Sequence, residues 1–302
     1  MTRAVVFAYH NVGVRCLRTL VAAGIEIPLV VTHDDQPGED IWFDSVRRHA
    51  VWHGLRVVAP PDVNTNDFFR QLADTRPHFI FSFYFRQMLK PRLLSLAQQG
   101  AFNMHGSLLP KYRGRVPINW ALVHGETETG ATLHVMEEKP DAGDIVDQQA
   151  VPILPDDTAL EVFSKVTVAA ELVLARSLPG LVAGTAARRP QDLSLGSYFG
   201  RRTAEDGRID WHAGPTAAHN LVRAVAPPYP GAFCDVGGRR LRILRSLPAA
   251  EPRSAKPALR WHNGAVCVSC PDGALRLLEF EFEGVSTAAQ FLEQFGAQAL
   301  NL

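Results

Sequence analysis

The sequence predicts an α/β fold, a Rossmann-like parallel sheet with helices on both faces, followed by a smaller β-domain. Three observations predict it. Strand-like and helix-like segments alternate through the first half of the chain, which is the pattern of βαβ units. After residue 196, short extended runs are broken by proline and glycine pairs, as in hairpins. The length of 302 residues suits two domains, expected at residues 1–190 and 191–302.

Apolar runs of strand length mark the sheet. They cover residues 4–9, 27–32, 56–59, 79–84 and 101–105. Amphipathic periodicity between these runs predicts three helices, at residues 14–23, 42–53 and 66–75. Two further extended segments follow, at residues 131–136 and 145–152. Ligands of such sheets bind beyond the carboxyl ends of the strands, so we expect the site where residues 84–89 and 103–107 emerge.

The second half of the chain begins with a long predicted helix. Thr158 and Glu161 have the spacing of a capping box, and apolar periodicity continues from there to Pro179-Gly180. Residues 184–196 are rich in alanine, arginine, proline and serine, which predicts a linker. A helix is predicted at residues 221–225, inside the β-domain.

The charge balance argues against a nucleic-acid partner. The chain has 31 basic and 31 acidic residues, and residues 201–302 hold 12 basic and 10 acidic ones, a difference of +2. No uninterrupted apolar run reaches the roughly 18 to 20 residues that span a bilayer, and the first residues lack the features of a signal peptide. We therefore expect a cytoplasmic protein without a membrane partner. Four cysteines suit a reducing compartment, and Cys267 and Cys270 are expected to be structural.

The groups that carry chemistry are an amide, an imidazole and a carboxylate. Asn103 and His105 are two residues apart at the end of an apolar run, so both side chains project from one face if that run is a strand. The amide can donate to a developing oxyanion, and the imidazole can carry a proton near neutral pH. Asp141, in the run Lys139-Pro140-Asp141-Ala142-Gly143-Asp144, can orient and charge the histidine. Acyl transfer to an amine needs all three groups.

The sequence lacks the motifs of nicotinamide, ATP, serine-hydrolase and zinc chemistry. The first strand leads into His10-Asn11-Val12-Gly13 without a Gly-x-Gly-x-x-Gly motif, and no Walker-type loop is present, which disfavours nicotinamide and ATP chemistry. Ser107 lacks the nucleophile elbow of a serine hydrolase. His105, His124 and His134 lack the short spacing of a zinc helix, so no metal is expected.

The chain resembles the 10-formyltetrahydrofolate-dependent formyltransferases over nearly its whole length. The resemblance rests on Asn-x-His-Gly-Ser-Leu-Leu-Pro-x-Tyr-Arg-Gly at residues 103–114, with Glu-Thr-Gly-Ala-Thr-Leu-His and Asp-Ala-Gly-Asp in order behind it. Four further runs are similar to the branch that N-formylates UDP-4-amino-4-deoxy-L-arabinose, the sugar of lipid A modification and polymyxin resistance. These runs are residues 7–10, 81–86, 119–126 and 199–203.

The resemblance implies an enzyme that moves a formyl group from 10-formyltetrahydrofolate to the 4-amino group of a UDP-linked sugar. Asn103 would stabilise the oxyanion, His105 would carry the proton and Asp141 would orient His105. It also implies an OB-like barrel for the C-terminal domain. The pterin pocket would be lined, largely through backbone groups, by Gln87, Met88, Leu89, Arg115, Glu137, Glu138, Lys139, Pro140 and Asp141.

Two other functions compete with the sugar enzyme. Methionyl-tRNA formyltransferase shares the catalytic core, but a tRNA acceptor stem demands several phosphate contacts and a strongly positive surface, which balanced charge does not supply. A non-catalytic binding module that retains the fold would not need the intact trio. A stand-alone enzyme and a domain of a fused enzyme are both compatible with the sequence.

Overall fold

A computed structural model of the chain describes residues 1–36, 38 and 40–302, which form two compact units. The first unit consists of Met1–Pro117, Glu128–Val151 and Ser164–Gly200. The second consists of Ile118–Thr127, Pro152–Phe163 and Arg201–Leu302. Two short segments that precede residue 164 thus belong with the C-terminal unit. The division into folding domains at residue 190 stays a prediction.

A seven-stranded sheet forms the centre of the first unit, in the order β3-β2-β1-β4-β5-β7-β8. Its strands are β1 (Arg3–Ala8), β2 (Glu26–Val31), β3 (Val57–Val58), β4 (Phe79–Phe83), β5 (Gly100–His105), β7 (Glu128–Val135) and β8 (Ile145–Pro152). The first five run parallel, as predicted, and β7 pairs antiparallel with β5. The predicted α/β sheet is confirmed, and its antiparallel part begins beside β5, the strand that carries the motif.

Four helices of this part of the chain were predicted and differ from prediction mainly at their ends, whereas the short helices that begin at Pro91 and Pro117 were not predicted. The helices are α1 (His10–Ala22), α2 (Val46–Trp52), α3 (Asn66–Asp74), α4 (Pro91–Leu94), α5 (Pro117–Val123) and α6 (Ala159–Ala183). Helix α2 begins at Val46 rather than at residue 42, because the Ser45 hydroxyl accepts from the Arg48 N–H and caps the helix there. Helix α6 continues through Pro179 to Ala183.

The core of the first unit consists of aromatic and aliphatic side chains on the faces of the sheet. Phe7, Phe81 and Phe102 are fully buried, as are Val6 and Ile80 beside the first two of them. On one face, Phe68 and Leu72 of α3 complete a cluster with side chains of β1, β2 and β4. This packing holds the parallel strands in register, so that their carboxyl ends lie along one edge.

Helix α6 has the length and composition of a membrane-crossing helix. Its most apolar 18-residue stretch has a mean hydropathy of 1.5, and 44% of that stretch is buried. Its fully buried residues recur every three to four positions, as in Val162, Val166, Ala170, Val173 and Leu174. This one-sided burial is also found in core helices that pack on a sheet.

Residues 189–199, which fall mostly in the predicted linker, are held along their length by the rest of the first unit. Arg189 exchanges two backbone hydrogen bonds of 2.8 Å with Ile145. Further along, β9 (Tyr198–Phe199) pairs in parallel with β6 (Arg113–Gly114). The linker prediction is therefore wrong for this segment, which we call the strap. The amino-acid composition of this segment did not reveal its contacts, because these hydrogen bonds are made by backbone groups that are common to nearly all residue types.

A six-stranded antiparallel sheet forms the second unit, in the order β10-β11-β14-β13-β12-β15. Its strands are β10 (Ala232–Val236), β11 (Arg239–Ala249), β12 (Ala258–His262), β13 (Ala265–Cys270), β14 (Gly273–Phe282) and β15 (Leu300–Asn301). Two helices accompany the sheet, α7 (Gly214–Ala224) and α8 (Ala288–Phe295). The predicted helix at 221–225 is the end of α7, and Cys267 and Cys270 are free and buried on β13.

Candidate active site

The predicted trio of Asn103, His105 and Asp141 comes together at the carboxyl end of β5. His105 Nδ1 lies 3.6 Å from Asp141 Oδ1, and Asn103 Nδ2 lies 3.5 Å from the same oxygen. Asn103 and His105 share a face of β5 because side chains alternate along a strand. The carboxylate arrives from the loop between β7 and β8.

The turn that carries Asp141 has a demanding backbone. Asp141 has a φ of +54°, in the left-handed region that aspartate tolerates better than most residues. Two residues later, a Cβ added to Gly143 would lie 2.2 Å from the carbonyl oxygen of Val135. Only glycine allows the turn to fold back so closely on β7, and this approach directs the Asp141 carboxylate toward His105.

The Asp141 carboxylate is ionised in this setting. Burial by itself would raise its pKa, since the side chain is only 13% exposed. The neighbouring imidazoles of His105 and His134, when they are protonated, and the Gly114 N–H, which donates to Oδ2 at 3.0 Å, together lower the pKa well below its usual range. A fixed negative charge therefore stands beside His105 at neutral pH.

The His105 ring is oriented by a backbone carbonyl. His105 Nε2 lies 2.8 Å from the oxygen of Tyr112, and a carbonyl can only accept, so Nε2 is the donor. Nδ1 therefore faces Asp141. In the neutral ring this nitrogen carries the lone pair, which makes Nδ1 the atom that takes up a proton. The ring itself is buried, with 7% of the side chain exposed.

A second histidine, His134 on β7, joins the cluster. It lies opposite Asn103 in the antiparallel register and is buried. His134 Nδ1 lies 2.8 Å from the Val135 carbonyl and donates to it, which leaves Nε2 of the neutral ring as an acceptor. In the neutral ring Nε2 accepts from Asn103 Nδ2 at 3.2 Å, and in the protonated ring its N–H faces Asp141 Oδ1 at 3.4 Å. His134 thus orients the Asn103 amide.

From the sequence, His134 was weighed as a zinc ligand and included in a run shared with the family, but its role beside Asn103 was missed. The residue lies in the extended segment 131–136, and strand pairing with residues 101–105 was the signal that would have placed it beside Asn103. Within the part of the chain that the structure describes, no group of three or more histidine, cysteine, aspartate or glutamate residues is placed to hold a metal ion.

Three residues expected at the pterin pocket follow β4. The Leu89 side chain is 4% exposed and belongs to the core. The Gln87 side chain holds the preceding loop, because its Oε1 accepts from the Val63 N–H at 3.0 Å. Met88 is 55% exposed, and its carbonyl accepts from Asn64 Nδ2 at 2.9 Å. The side chains of Gln87 and Leu89 are thus engaged within the protein, whereas Met88 faces solvent.

The remaining expected pocket residues lie on two loops next to the trio. Arg115 is exposed, and its N–H donates to the Phe199 carbonyl at 2.9 Å. In the loop that ends at Asp141, residues 137–139 are exposed and Pro140 is half-buried. This loop lies beside the trio because it leads directly into Asp141.

One cavity lies elsewhere in the first unit. It has a volume of about 300 Å³, and its lining includes Phe79, Leu181 and Arg188. Phe79 is the first residue of β4, so this cavity is at the amino ends of the parallel strands. The trio is at the opposite edge, which is where sheets of this kind bind ligands. We therefore assign the site from the trio and not from this cavity.

Comparison with known proteins agrees with the fold. The profile of the formyl transferase family matches residues 23–178, and the profile of its C-terminal domain matches residues 201–296. The first match alone covers more than half of the chain. The chain therefore belongs to the formyl transferase family, and the resemblance found in the sequence is confirmed.

Solved structures of similar fold include sugar N-formyltransferases. One is the N-formyltransferase from Helicobacter canadensis in complex with folinic acid and dTDP-3-aminofucose, with a TM-score of 0.74 and 21% identity over 92% of this chain and 99% of that one. Another is a 4-N formyltransferase from Francisella tularensis, with a TM-score of 0.62 and 19% identity over 79% and 95%. HypX from Aquifex aeolicus, solved with tetrahydrofolic acid, has a TM-score of 0.64 and 19% identity over 97% of this chain and 47% of HypX.

Proposed function

We propose that this chain is an N-formyltransferase that moves the formyl group of 10-formyltetrahydrofolate to the 4-amino group of UDP-4-amino-4-deoxy-L-arabinose. The observation that carries the proposal is the convergence of Asn103, His105 and Asp141 at the end of β5. Similar folds bind folates, and one binds a dTDP-amino sugar, which supports the substrate class. The Francisella tularensis relative supports transfer to a 4-amino group.

The reaction exchanges one carbon–nitrogen bond for another. A bond forms between the sugar nitrogen and the formyl carbon, and the bond from that carbon to N10 of tetrahydrofolate breaks. The amine loses one proton and N10 gains one. The folate supplies the activated formyl group. The protein must therefore supply a donor to the formyl oxygen and a group that carries the proton.

Asn103 is suited to donate to the formyl oxygen. One hydrogen of its amide is held by His134 Nε2 at 3.2 Å, while the contact of Nδ2 with Asp141 at 3.5 Å is long for a hydrogen bond. The second hydrogen is therefore weakly held and can turn to a ligand. A preorganised donor of this kind contributes roughly 2.7–4 kcal/mol to the rate.

His105 is suited to carry the proton. Because Nε2 donates to the Tyr112 carbonyl, the proton taken from the amine arrives at Nδ1, next to Asp141. The resulting cation lies beside a carboxylate that stays ionised, so the charge is stabilised where it forms. General acid–base catalysis of this kind contributes roughly 100- to 10,000-fold.

The residues around the trio fit a reduced pterin, which is flat and has hydrogen-bonding edges. The exposed Met88 side chain offers an apolar surface, and the exposed residues 137–139 offer polar groups in the loop that ends at Asp141. Within the proposal, Gln87, Leu89 and Pro140 contribute through backbone groups. Arg115 and Lys139, both exposed, supply positive charge for the acidic end of the folate.

The charge balance supports a small phosphorylated acceptor. Equal numbers of acidic and basic residues leave little positive surface for a tRNA stem. We place the reaction in the cytoplasm, as a step in lipid A modification that leads to polymyxin resistance.

The test is formylation of a panel of acceptors with 10-formyltetrahydrofolate. The panel contains UDP-4-amino-4-deoxy-L-arabinose, dTDP-linked 3- and 4-amino sugars and methionyl initiator tRNA, with His105→Ala as the inactive control. We expect the UDP sugar to be formylated with the highest kcat/KM and with a mild loss between about 50 and 200 mM salt. Multi-phosphate tRNA binding would lose on the order of 1,000-fold over that range. Efficient formylation of the tRNA, with the sugars untouched, would contradict the proposal.

A further inference from the structure

The strap contacts two backbone segments that hold Asp141. At one end, β9 pairs with β6, whose Gly114 N–H donates to Asp141 Oδ2. Near the other end, the Gln191 side chain contacts the turn that carries Asp141. The strap is distant in sequence from every residue of the trio.

Gln191 holds both ends of the Asp141 turn with one amide. Its Nε2 donates to the Asp141 carbonyl at 3.1 Å and to the Gly143 carbonyl at 2.6 Å. A flipped amide would point its oxygen at two other oxygens, so this orientation is the one that satisfies the contacts. Because Asp141 has a left-handed φ, the turn needs such bonds to keep its shape.

The carbonyl oxygen of the Gln191 side chain, Oε1, is buried and has no donor of its own among the described residues. A buried acceptor without a donor costs about 1–3 kcal/mol. The orientation of the amide is thus set by the two contacts of Nε2.

We propose that Gln191 is a positioning residue that acts through Asp141. It keeps the Asp141 carboxylate within reach of His105 Nδ1 and of the Gly114 N–H by fixing the carbonyls on either side of the turn. The kinetic part of this inference rests on the proposed formyl transfer. Its structural part does not.

The structural test is hydrogen exchange at the Gly114 amide, which reports the bond to Asp141 Oδ2. In Gln191→Leu we expect the protection of Gly114 to fall at least about tenfold, while amides in β1 and β4 stay unchanged, because a local opening affects only the bonds it breaks. Gln149→Leu is the matched control, since Gln149 also donates to a carbonyl of the first unit, that of Ala150, without touching Asp141. Unchanged protection of Gly114 in Gln191→Leu would overturn the proposal, whatever the enzyme's substrate.

The kinetic test uses the wild type, Gln191→Leu and Gln191→Glu. We expect Gln191→Leu to lower kcat about 10- to 100-fold with KM for the amino sugar within about threefold, because the lost interaction acts on the reacting group. Gln191→Glu can donate only when its carboxyl is protonated, so its kcat relative to wild type should rise as the pH is lowered from about 7.5 to 5.5. A pH-independent ratio, or a normal kcat in Gln191→Leu, would contradict positioning. If the wild type formylates no amino sugar, the proposed function fails, and hydrogen exchange still decides the role of Gln191.

Discussion

Removal of the Asn103 side chain separates its effect on catalysis from its effect on folding. Asn103→Ala deletes the amide that faces the reacting group and leaves the β5 backbone in place. If the amide donates to the formyl oxygen, its loss removes roughly 2.7–4 kcal/mol of transition-state stabilisation. At about 1.36 kcal/mol for each factor of ten, kcat should fall about 100- to 1,000-fold.

The loss of stability in Asn103→Ala comes from His134, the hydrogen-bond partner of the deleted amide. His134 is 2% exposed, and its Nε2 loses the hydrogen that Asn103 donates at 3.2 Å. An unsatisfied buried acceptor costs about 1–3 kcal/mol. Each kcal/mol lowers the melting temperature of a domain of 150–250 residues by roughly 2–4 °C. The variant should therefore melt lower than the wild type but remain folded at assay temperature.

The assay is single-turnover formyl transfer at saturating folate, with thermal melting measured on the same preparations. Asn66→Ala is the matched control, because it removes an exposed amide of the first unit that accepts from Arg92 and does not face the trio. The control should keep wild-type turnover. A kcat for Asn103→Ala within about threefold of wild type would refute the assignment of Asn103 as the oxyanion donor.

The remaining predictions concern Asp141 and its turn. Asp141→Asn removes a negative charge that favours a cation beside it, so the acid limb of the pH–rate profile should move to lower pH, and an unchanged profile with normal rates would make Asp141 structural. Because the folded-state pKa of Asp141 is lowered, the folded protein binds fewer protons there than the unfolded chain does, and this stability is lost as the pH falls below the ordinary carboxyl range. Urea midpoints between about pH 5 and 3 should thus change less in Asp141→Asn than in the wild type. Gly143→Ala should cost about 1–3 kcal/mol in urea unfolding and also lower kcat, since its Cβ would meet the Val135 carbonyl at 2.2 Å and displace the turn. If Gly143→Ala kept the wild-type unfolding free energy and kcat, the prediction would be wrong and the turn would tolerate the added Cβ.

Most of the sheet was predictable because its signal is local. Runs such as residues 4–9 and 79–84 are almost wholly apolar, which is typical of parallel strands buried on both faces, and both correspond to strands in the structure. Asn103 and His105 were predictable as a pair for the same reason, since a spacing of two puts both side chains on one face of β5. Helix ends were less predictable, because caps such as Ser45 and strand-to-helix turns such as that at His10 depend on single backbone contacts.

The sequence by itself determined the alternation of strands and helices, the amide–imidazole pair and, through its family resemblance, the carboxylate at Asp141. The tertiary structure alone decided how those groups are held. The Tyr112 carbonyl sets the donor nitrogen of His105, His134 orients the Asn103 amide and Gln191 fixes the Asp141 turn. Backbone carbonyls and amides are common to nearly all residues, and these contacts join segments far apart in the chain. They leave no periodicity or spacing in the sequence, so they become visible only when the fold brings the segments together.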